Sequence, residues 1–157
     1  EKRASLQSDI MTASLAVASA SGGFLGLGSK VSAAERSLIE SFSAGFEKAH
    51  EAALSEHFLR GAATVPGLRV YGLTDIERLA ERTPTFAVEL AGHAPAEIAA
   101  WLGERGFFVW DGHYYAIAVM ERLGTLARGG LVRIGFVHYN TIAEIDRLLA
   151  ALRELAG

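Results

Sequence analysis

The sequence contains no cysteine, only three prolines and no segment in which charges of one sign accumulate. Without cysteine the chain has no disulfide framework, no thiolate metal site and no cysteine nucleophile. A net charge of −3 with both signs dispersed provides no basic stripe for nucleic acid and no acidic tail. What remains is a chain of 157 residues that is 50% hydrophobic, which predicts one compact domain with a core of its own.

Residues 10–27 form an Ala/Ser-rich run that follows Lys2 and Arg3 and imitates a targeting signal. Asp9 and several hydroxyl side chains dilute its apolar character, whereas a membrane span needs about 20 strongly apolar residues. The run is therefore predicted to be a buried or half-buried helix, with no membrane partner, and the absence of disulfides is compatible with a cytoplasmic protein. The sequence begins with Glu1 and not with methionine, so we expect a piece of a longer protein.

Hydrophobic periodicity predicts a helical lead-in over residues 1–30 and one small α/β domain over residues 31–157. A long helix over residues 33–63 has an apolar stripe that comprises Leu38, Ile39, Phe42, Phe46, Ala49, Ala53 and Leu54. From residue 68 onward the predicted order is β-β-α-β-α-β-α. Its strands are residues 68–73, 85–90, 107–110 and 131–137, and its helices are residues 95–104, residues 115–123 and a last helix that Thr141 and Glu144 begin with a capping box. This pattern predicts a small sheet covered by helices.

Two motifs that often indicate ligands are unconvincing in this chain. Gly23 and Gly28 have the spacing of a phosphate-binding P-loop, but Ser29 and Lys30 stand in the reverse order, so a turn that ends a helix is the better interpretation. The five histidines show none of the short spacings that bring two imidazoles to one ion. The sequence therefore predicts no metal site.

Residues 110–116 and Arg133 are the stronger candidates for a binding site. The loop contains His113 beside Tyr114 and Tyr115, and it would either present these side chains to a ligand or form an aromatic satellite of the core. Arg133 interrupts an apolar strand, and a buried guanidinium needs a partner such as a carboxylate, which it binds through two parallel hydrogen bonds. The alternative is simple alternation, in which Leu131, Arg133 and Gly135 face solvent.

Three segments resemble the C-terminal part of class V aminotransferases and cysteine desulfurases. Residues 109–116 are similar to the loop in which that family has Gly-His-His-Cys-Ala. Residues 132–146 are similar to its Arg-x-Ser strand and Tyr-Asn-Thr-x-x-Glu-Ile-Asp helix start, and residues 65–72 are similar to its entry into the small-domain sheet. The likeness extends over residues 35–157, and the arginine followed by Tyr-Asn-Thr is its most specific part.

The resemblance implies the small domain of a fold-type-I enzyme, with a mostly antiparallel sheet that closes over pyridoxal phosphate (PLP) held by a large domain outside this chain. Such enzymes are homodimers that act on amino acids. Arg133 would bind the substrate α-carboxylate, and the loop with His113 and Tyr115 would cover the active site. Ser5, in the pair Ala4-Ser5, would stand where the family has a Gly-Thr pair that reaches the cofactor phosphate of the neighbouring subunit.

The chain also departs from the family. Tyr115 occupies the position of the persulfide-forming cysteine, and a phenol cannot accept sulfur as a thiolate does, so transaminase or lyase chemistry remains open while the usual desulfurase route does not. Gly135 replaces the family serine. Lys2, Lys30 and Lys48 are the only lysines, and none has the setting of the family's Schiff-base lysine, so we expect this polypeptide alone to be catalytically inert. The competing hypothesis is a free-standing ligand-binding or regulatory module.

Overall fold

The structure is a computed structural model that describes the backbone of residues 33–157 and the side chains from Lys48 onward. Four α-helices and four β-strands make up the described part of the chain, with two short 3-10 helices between them at Ile76–Glu81 and Leu126–Arg128. The elements are α1 (Ala33–Ala62), β1 (Leu68–Tyr71), β2 (Thr85–Leu90), α2 (Pro95–Glu104), β3 (Trp110–Gly112), α3 (Ile117–Leu123), β4 (Leu131–Gly135) and α4 (Ile142–Ala156). The order of elements from residue 68 is the predicted one.

The four strands form one antiparallel sheet in the order β1-β2-β4-β3. Strand β4 therefore lies inside the sheet, with β2 on one side and β3 on the other. Its register places Arg133 opposite Ala87 of β2 and opposite Trp110 of β3. The small, antiparallel sheet that the resemblance implied is confirmed.

One face of the sheet packs against helices to form the core. Phe58 of α1 lies at its centre, with ring centroids 4.5 Å from Phe86 and 5.3 Å from Phe136. Strand residues alternate as the sequence predicts, because Phe86, Val88 and Leu90 are buried. The helices contribute Leu54, Leu59, Ala62, Ile98, Leu102, Ile145, Leu148, Leu149 and Leu152 to the same cluster.

The start of α4 is held by the predicted capping box. Thr141 Oγ1 accepts a hydrogen bond from the Glu144 amide at 3.3 Å, and Glu144 Oε2 accepts one from the Thr141 amide at 2.7 Å. Both groups are among those that a helix start leaves without intrahelical partners. The backbone amide of Thr141 and its hydroxyl lower the pKa of the Glu144 carboxyl below its usual value.

Several predicted boundaries were wrong. The third strand is Trp110–Gly112 and not residues 107–110, because only residues 110–112 reach the ladder with β4. Helix α3 begins at Ile117 and not at residue 115, since Tyr114 and Tyr115 adopt left-handed backbone conformations. Strand β4 ends at Gly135 and not at residue 137.

The predicted stripe of α1 was also wrong at Ala49 and Ala53, which are exposed. The predicted Leu54 is buried, and the buried face continues through Phe58 and Ala62. The helical lead-in over residues 1–30, its boundary with the domain and Ser5 lie outside the described residues. Residues Glu47–Gly157 form one compact unit, and across the part of the chain that the structure describes, no helix is both long and apolar enough to span a bilayer.

Candidate functional site

The face of the sheet opposite the core presents a row of four residues. Tyr71 pairs with Ala87, Ala87 pairs with Arg133, and Arg133 pairs with Trp110, so one side chain from each strand lies beside the next. Directly paired residues on one face of an antiparallel sheet have Cβ atoms about 5 Å apart. The row therefore places a cation between a small residue and an aromatic one.

Arg133 is exposed, as the alternation hypothesis predicted, yet it does not extend freely into solvent. Its guanidinium carbon lies 5.3 Å from the ring centroid of Trp110 and 5.5 Å from that of Tyr114. Both distances permit a cation–π interaction. Among residues 48–157 no carboxylate forms an ion pair with this guanidinium, although the other exposed arginines include several that do. Arg133 can therefore bind an anion from outside the described residues.

The alternation hypothesis fails at Leu131, which shares this face but is fully buried. The Tyr114 hydroxyl donates a hydrogen bond to the Leu131 carbonyl. Burial raises the pKa of the Tyr114 phenol well above its usual value, an effect that the Arg133 charge opposes and the Asp111 charge reinforces. The phenol therefore remains a hydrogen-bond donor throughout the neutral pH range.

The loop after β3 presents His113 and Tyr115 to solvent. Tyr115 is 89% exposed, and its amide donates to His113 Nδ1 at 3.1 Å. Because Nδ1 accepts this bond, the neutral imidazole has its proton on Nε2. The two rings meet edge to face with centroids 6.0 Å apart. Both predicted site residues thus lie on the loop whose Tyr114 contacts Arg133.

The sequence analysis missed the backbone conformation of this loop. Tyr114 has φ +50° and Tyr115 has φ +59°, a region that residues other than glycine, asparagine and aspartate seldom adopt. Gly130 holds the loop from the other side, because a Cβ built on Gly130 would overlap the carbonyl of Gly112. The Gly129-Gly130 pair before β4 was the available signal for this close approach.

A second set of charges lies on β1 and β2 near the Arg133 row. Glu89 binds Arg128 at 2.8 Å and lies 3.8 Å from Arg69, whose guanidinium covers the ring of Tyr71 at 4.5 Å. The Tyr71 hydroxyl is buried and finds no hydrogen-bond partner within the described part of the chain. Burial raises the pKa of this phenol, and the Glu89 charge adds to the effect. Glu89 is therefore already neutralised and does not compete for Arg133.

A separate cavity of about 490 Å³ opens where residues 106–109 and 134–137 diverge beyond the ladder. Phe107, Tyr139 and Arg147 are among the residues that line it, and Arg133 is not. Over residues 33–157 no three His, Cys, Asp or Glu side chains group as metal ligands do. The Arg133 site is therefore separate from this cavity, whose lining includes the cation Arg147.

PLP requires a lysine for its aldehyde and an acid for its pyridine nitrogen. Lys48 is the only lysine among the described residues, and it lies exposed on α1. Lys2 and Lys30 lie outside the described residues. The groups present on the Arg133 face fit a carboxylate and do not by themselves fit the cofactor.

Known proteins share this arrangement of elements. A profile of the class-V aminotransferase family matches residues 29–148. A probable cysteine desulfurase from Mycolicibacterium paratuberculosis is 37% identical over 108 residues, and the aminotransferase-like protein FGM3 from Gibberella zeae is 31% identical over 106 residues. The apo structure of cysteine desulfurase from Thermococcus onnurineus NA1 is similar with a TM-score of 0.66 at 27% identity over 78% of this chain.

The matches cover only part of those proteins. The chain spans 15% of the Mycolicibacterium protein, 26% of the Gibberella protein and 29% of the Thermococcus chain. They nevertheless agree with each other and with the antiparallel sheet described above. The chain belongs to the class-V aminotransferase family.

Proposed function

We propose that this chain is the small domain of a PLP-dependent class-V enzyme that acts on an amino acid, and that Arg133 binds the substrate α-carboxylate. The observation that supports this most directly is the exposure of the Arg133 guanidinium and its lack of an ion-pair partner among the described residues. It is exposed, it projects from an interior strand, and within residues 48–157 no carboxylate pairs with it. A guanidinium held in this way binds a carboxylate bidentately with little loss of conformational entropy.

Two aromatic side chains support the same role. Trp110 and Tyr114 lie within 5.5 Å of the guanidinium carbon and limit the directions that Arg133 can take. In this proposal they orient Arg133 rather than react.

His113 and Tyr115 extend from the same loop toward the solvent, where a bound substrate would meet them. In this proposal the loop covers the substrate, and His113 Nε2–H and the Tyr115 hydroxyl are hydrogen-bond donors to its polar atoms. Tyr115 also limits the reaction, because a phenol does not form the persulfide that a thiolate forms. Transfer of sulfur through a residue at this position is therefore no part of the proposed activity.

The cofactor would be held mainly by a large domain outside this chain, since the described residues lack a suitable lysine. PLP supplies an electron sink for the bonds at the substrate α-carbon, and Arg133 would fix the carboxylate beside that carbon. Ser5 of a neighbouring subunit is proposed to reach the cofactor phosphate in a homodimer. We place the whole protein in the cytoplasm, in keeping with a chain that has no cysteine.

Exposed apolar side chains support a covering domain. Trp110, Ile117, Val119 and Leu123 are each between 42% and 57% exposed, and three of them belong to the short helix α3. A surface that exposes several large apolar side chains often marks an interface. The same side chains predict that the chain alone associates with itself in solution.

The proposal is tested in the full-length protein that contains this chain. Calorimetric titration with an L-amino acid should show binding that Arg133→Ala weakens about 10- to 100-fold, as loss of a charged hydrogen-bonded contact does. Arg128→Ala is the matched control, because Arg128 is an exposed arginine already paired with Glu89. Unchanged binding in Arg133→Ala, with circular dichroism showing an intact fold, would reject the assignment.

The proposal that the large domain holds the cofactor has a separate test. The 157-residue chain dialysed after mixing with PLP should retain no stoichiometric cofactor, whereas the full-length protein should retain it. Retention by the short chain that is lost in Lys48→Ala would show that the described residues hold the cofactor after all.

A further inference from the structure

The position of Trp110 beside Arg133 bears on which amino acid the site accepts. The two residues are directly paired across β3 and β4, and the guanidinium carbon lies 5.3 Å from the centroid of the indole. The side chain of an amino acid is attached to the carbon next to the carboxylate. A side chain on a substrate held by Arg133 therefore lies within a few ångströms of this row of residues.

Trp110 is the aromatic residue of the row whose ring remains available to a ligand. Its side chain is 57% exposed although its neighbour Arg133 already contacts it. Tyr71, at the other end of the row, is partly covered by Arg69 at 4.5 Å from its ring centroid. Tyr114 is half-buried and its hydroxyl is bound to the Leu131 carbonyl. Only Trp110 combines a large flat surface with direct adjacency to Arg133.

The residue between Tyr71 and Arg133 leaves room for such a side chain. Ala87 is the smallest member of the row, and it is paired with Tyr71 on one side and Arg133 on the other. Glu89, the nearest acidic group on β2, is bound by Arg128 at 2.8 Å and Arg69 at 3.8 Å. The β2 residues beside Arg133 on this face are thus apolar or already neutralised, which disfavours a charged substrate side chain there.

We propose that Trp110 is a specificity-determining residue, and that it selects amino acids with an aromatic side chain by stacking on that side chain while Arg133 binds the carboxylate. This inference rests on the proposed carboxylate-binding role of Arg133. Aromatic pairs gain from ring contact beyond the area they bury, and a small side chain such as that of alanine or cysteine would leave the indole in water. The site therefore prefers phenylalanine, tyrosine or tryptophan to alanine or cysteine.

The test is calorimetric titration of the full-length protein with L-phenylalanine and L-alanine. The wild-type protein should bind phenylalanine more tightly. Trp110→Ala should weaken phenylalanine binding about three- to tenfold more than it weakens alanine binding, as the loss of one aromatic contact does. Trp110→Phe should restore most of the preference, because a phenyl ring also stacks.

Trp101→Phe is the matched control, since Trp101 is the other tryptophan of this chain and its indole N–H donates to the Ala151 carbonyl at 3.1 Å, on the core side. Equal losses for both ligands in Trp110→Ala would overturn the inference, because Trp110 would then act only by orienting Arg133. No loss for either ligand would overturn it as well.

The two proposals fail in different ways. If Arg133→Ala abolishes binding of both amino acids while Trp110→Ala changes neither, the carboxylate assignment stands and the selectivity assignment is wrong. If Arg133→Ala changes neither, both assignments are wrong.

Discussion

Gly130 lies so close to Gly112 that no side chain fits between them, since a Cβ on Gly130 would overlap the Gly112 carbonyl. This contact joins the start of β4 to the end of β3 and fixes where the His113 loop leaves the sheet. Gly129, the preceding residue, has a nearly equal φ of +92°, against +89° for Gly130, but its Cβ position would only touch the Pro95 ring at 3.7 Å.

We expect Gly130→Ala to destabilise the chain more than Gly129→Ala. Both substitutions place alanine in the left-handed region, at a cost of about 1–2 kcal/mol, whereas only Gly130→Ala adds an overlap that costs a further ~1–3 kcal/mol. Urea denaturation followed by circular dichroism measures both. Equal losses would show that the backbone of residues 112 and 113 moves aside without strain.

The aromatic cluster around Phe58 predicts a large loss of stability. Phe58 is fully buried between Phe86 and Phe136, and its replacement by alanine leaves a cavity that costs about 3–5 kcal/mol. Phe108 is 93% exposed, so Phe108→Ala should change the free energy of unfolding by less than about 0.5 kcal/mol. Thermal unfolding that is equally affected by the two changes would contradict this description of the core.

Tyr114 and Tyr115 should differ in their response to removal of the hydroxyl. Tyr114→Phe loses the hydrogen bond to the Leu131 carbonyl, which is worth about 0.5–1.5 kcal/mol. Tyr115→Phe should have no measurable effect on unfolding, because that side chain is 89% exposed. The same pair of variants, titrated with an amino acid in the full-length protein, reports whether either phenol touches the ligand.

The cap of α4 predicts a pH dependence of stability. The folded-state pKa of Glu144 lies below its unfolded value, since the Thr141 amide and hydroxyl bind the charged form. The contribution of the Glu144 carboxylate to folding stability is therefore complete above its unfolded pKa of about 4.3. It is lost as the pH falls through the lower folded pKa. Glu144→Gln should be less stable than wild type at pH 7 and indistinguishable from it at low pH. If the difference in stability between wild type and Glu144→Gln grew on acidification, this mechanism would be contradicted.

The sequence predicted the parts of the fold in which local pattern and packing agree. Strand β2 is specified by the alternation of Phe86, Val88 and Leu90, and the start of α4 by the capping box of Thr141 with Glu144. In both cases the residues that specify the element are close in sequence. Residues 107–109 have the composition of a strand but lie outside the ladder, because pairing with β4 begins only at Trp110. A segment forms a strand only where it pairs with a neighbouring strand, and β-propensity alone is not enough.

The site could be predicted only in part for the same reason. Arg133, His113 and Tyr115 were singled out from the sequence and given roles by the family resemblance, but the contact of Arg133 with Trp110 depends on the register of β3 against β4. No short-range pattern specifies that register. The left-handed conformation of Tyr114 and Tyr115 was missed because neither residue type favours it, and it follows from the close approach of Gly130 to Gly112.

The central position of β4 has a mechanical consequence for Arg133. Its backbone is bonded to β2 on one side and to β3 on the other, so the Cα of this arginine cannot shift without the rest of the sheet. A shift of the Arg133 Cα toward a ligand held elsewhere would therefore be a rigid-body displacement of all four strands together. Probes attached to the distant edge strand β1 would then report the same movement, with the same rate, as probes beside Arg133 itself.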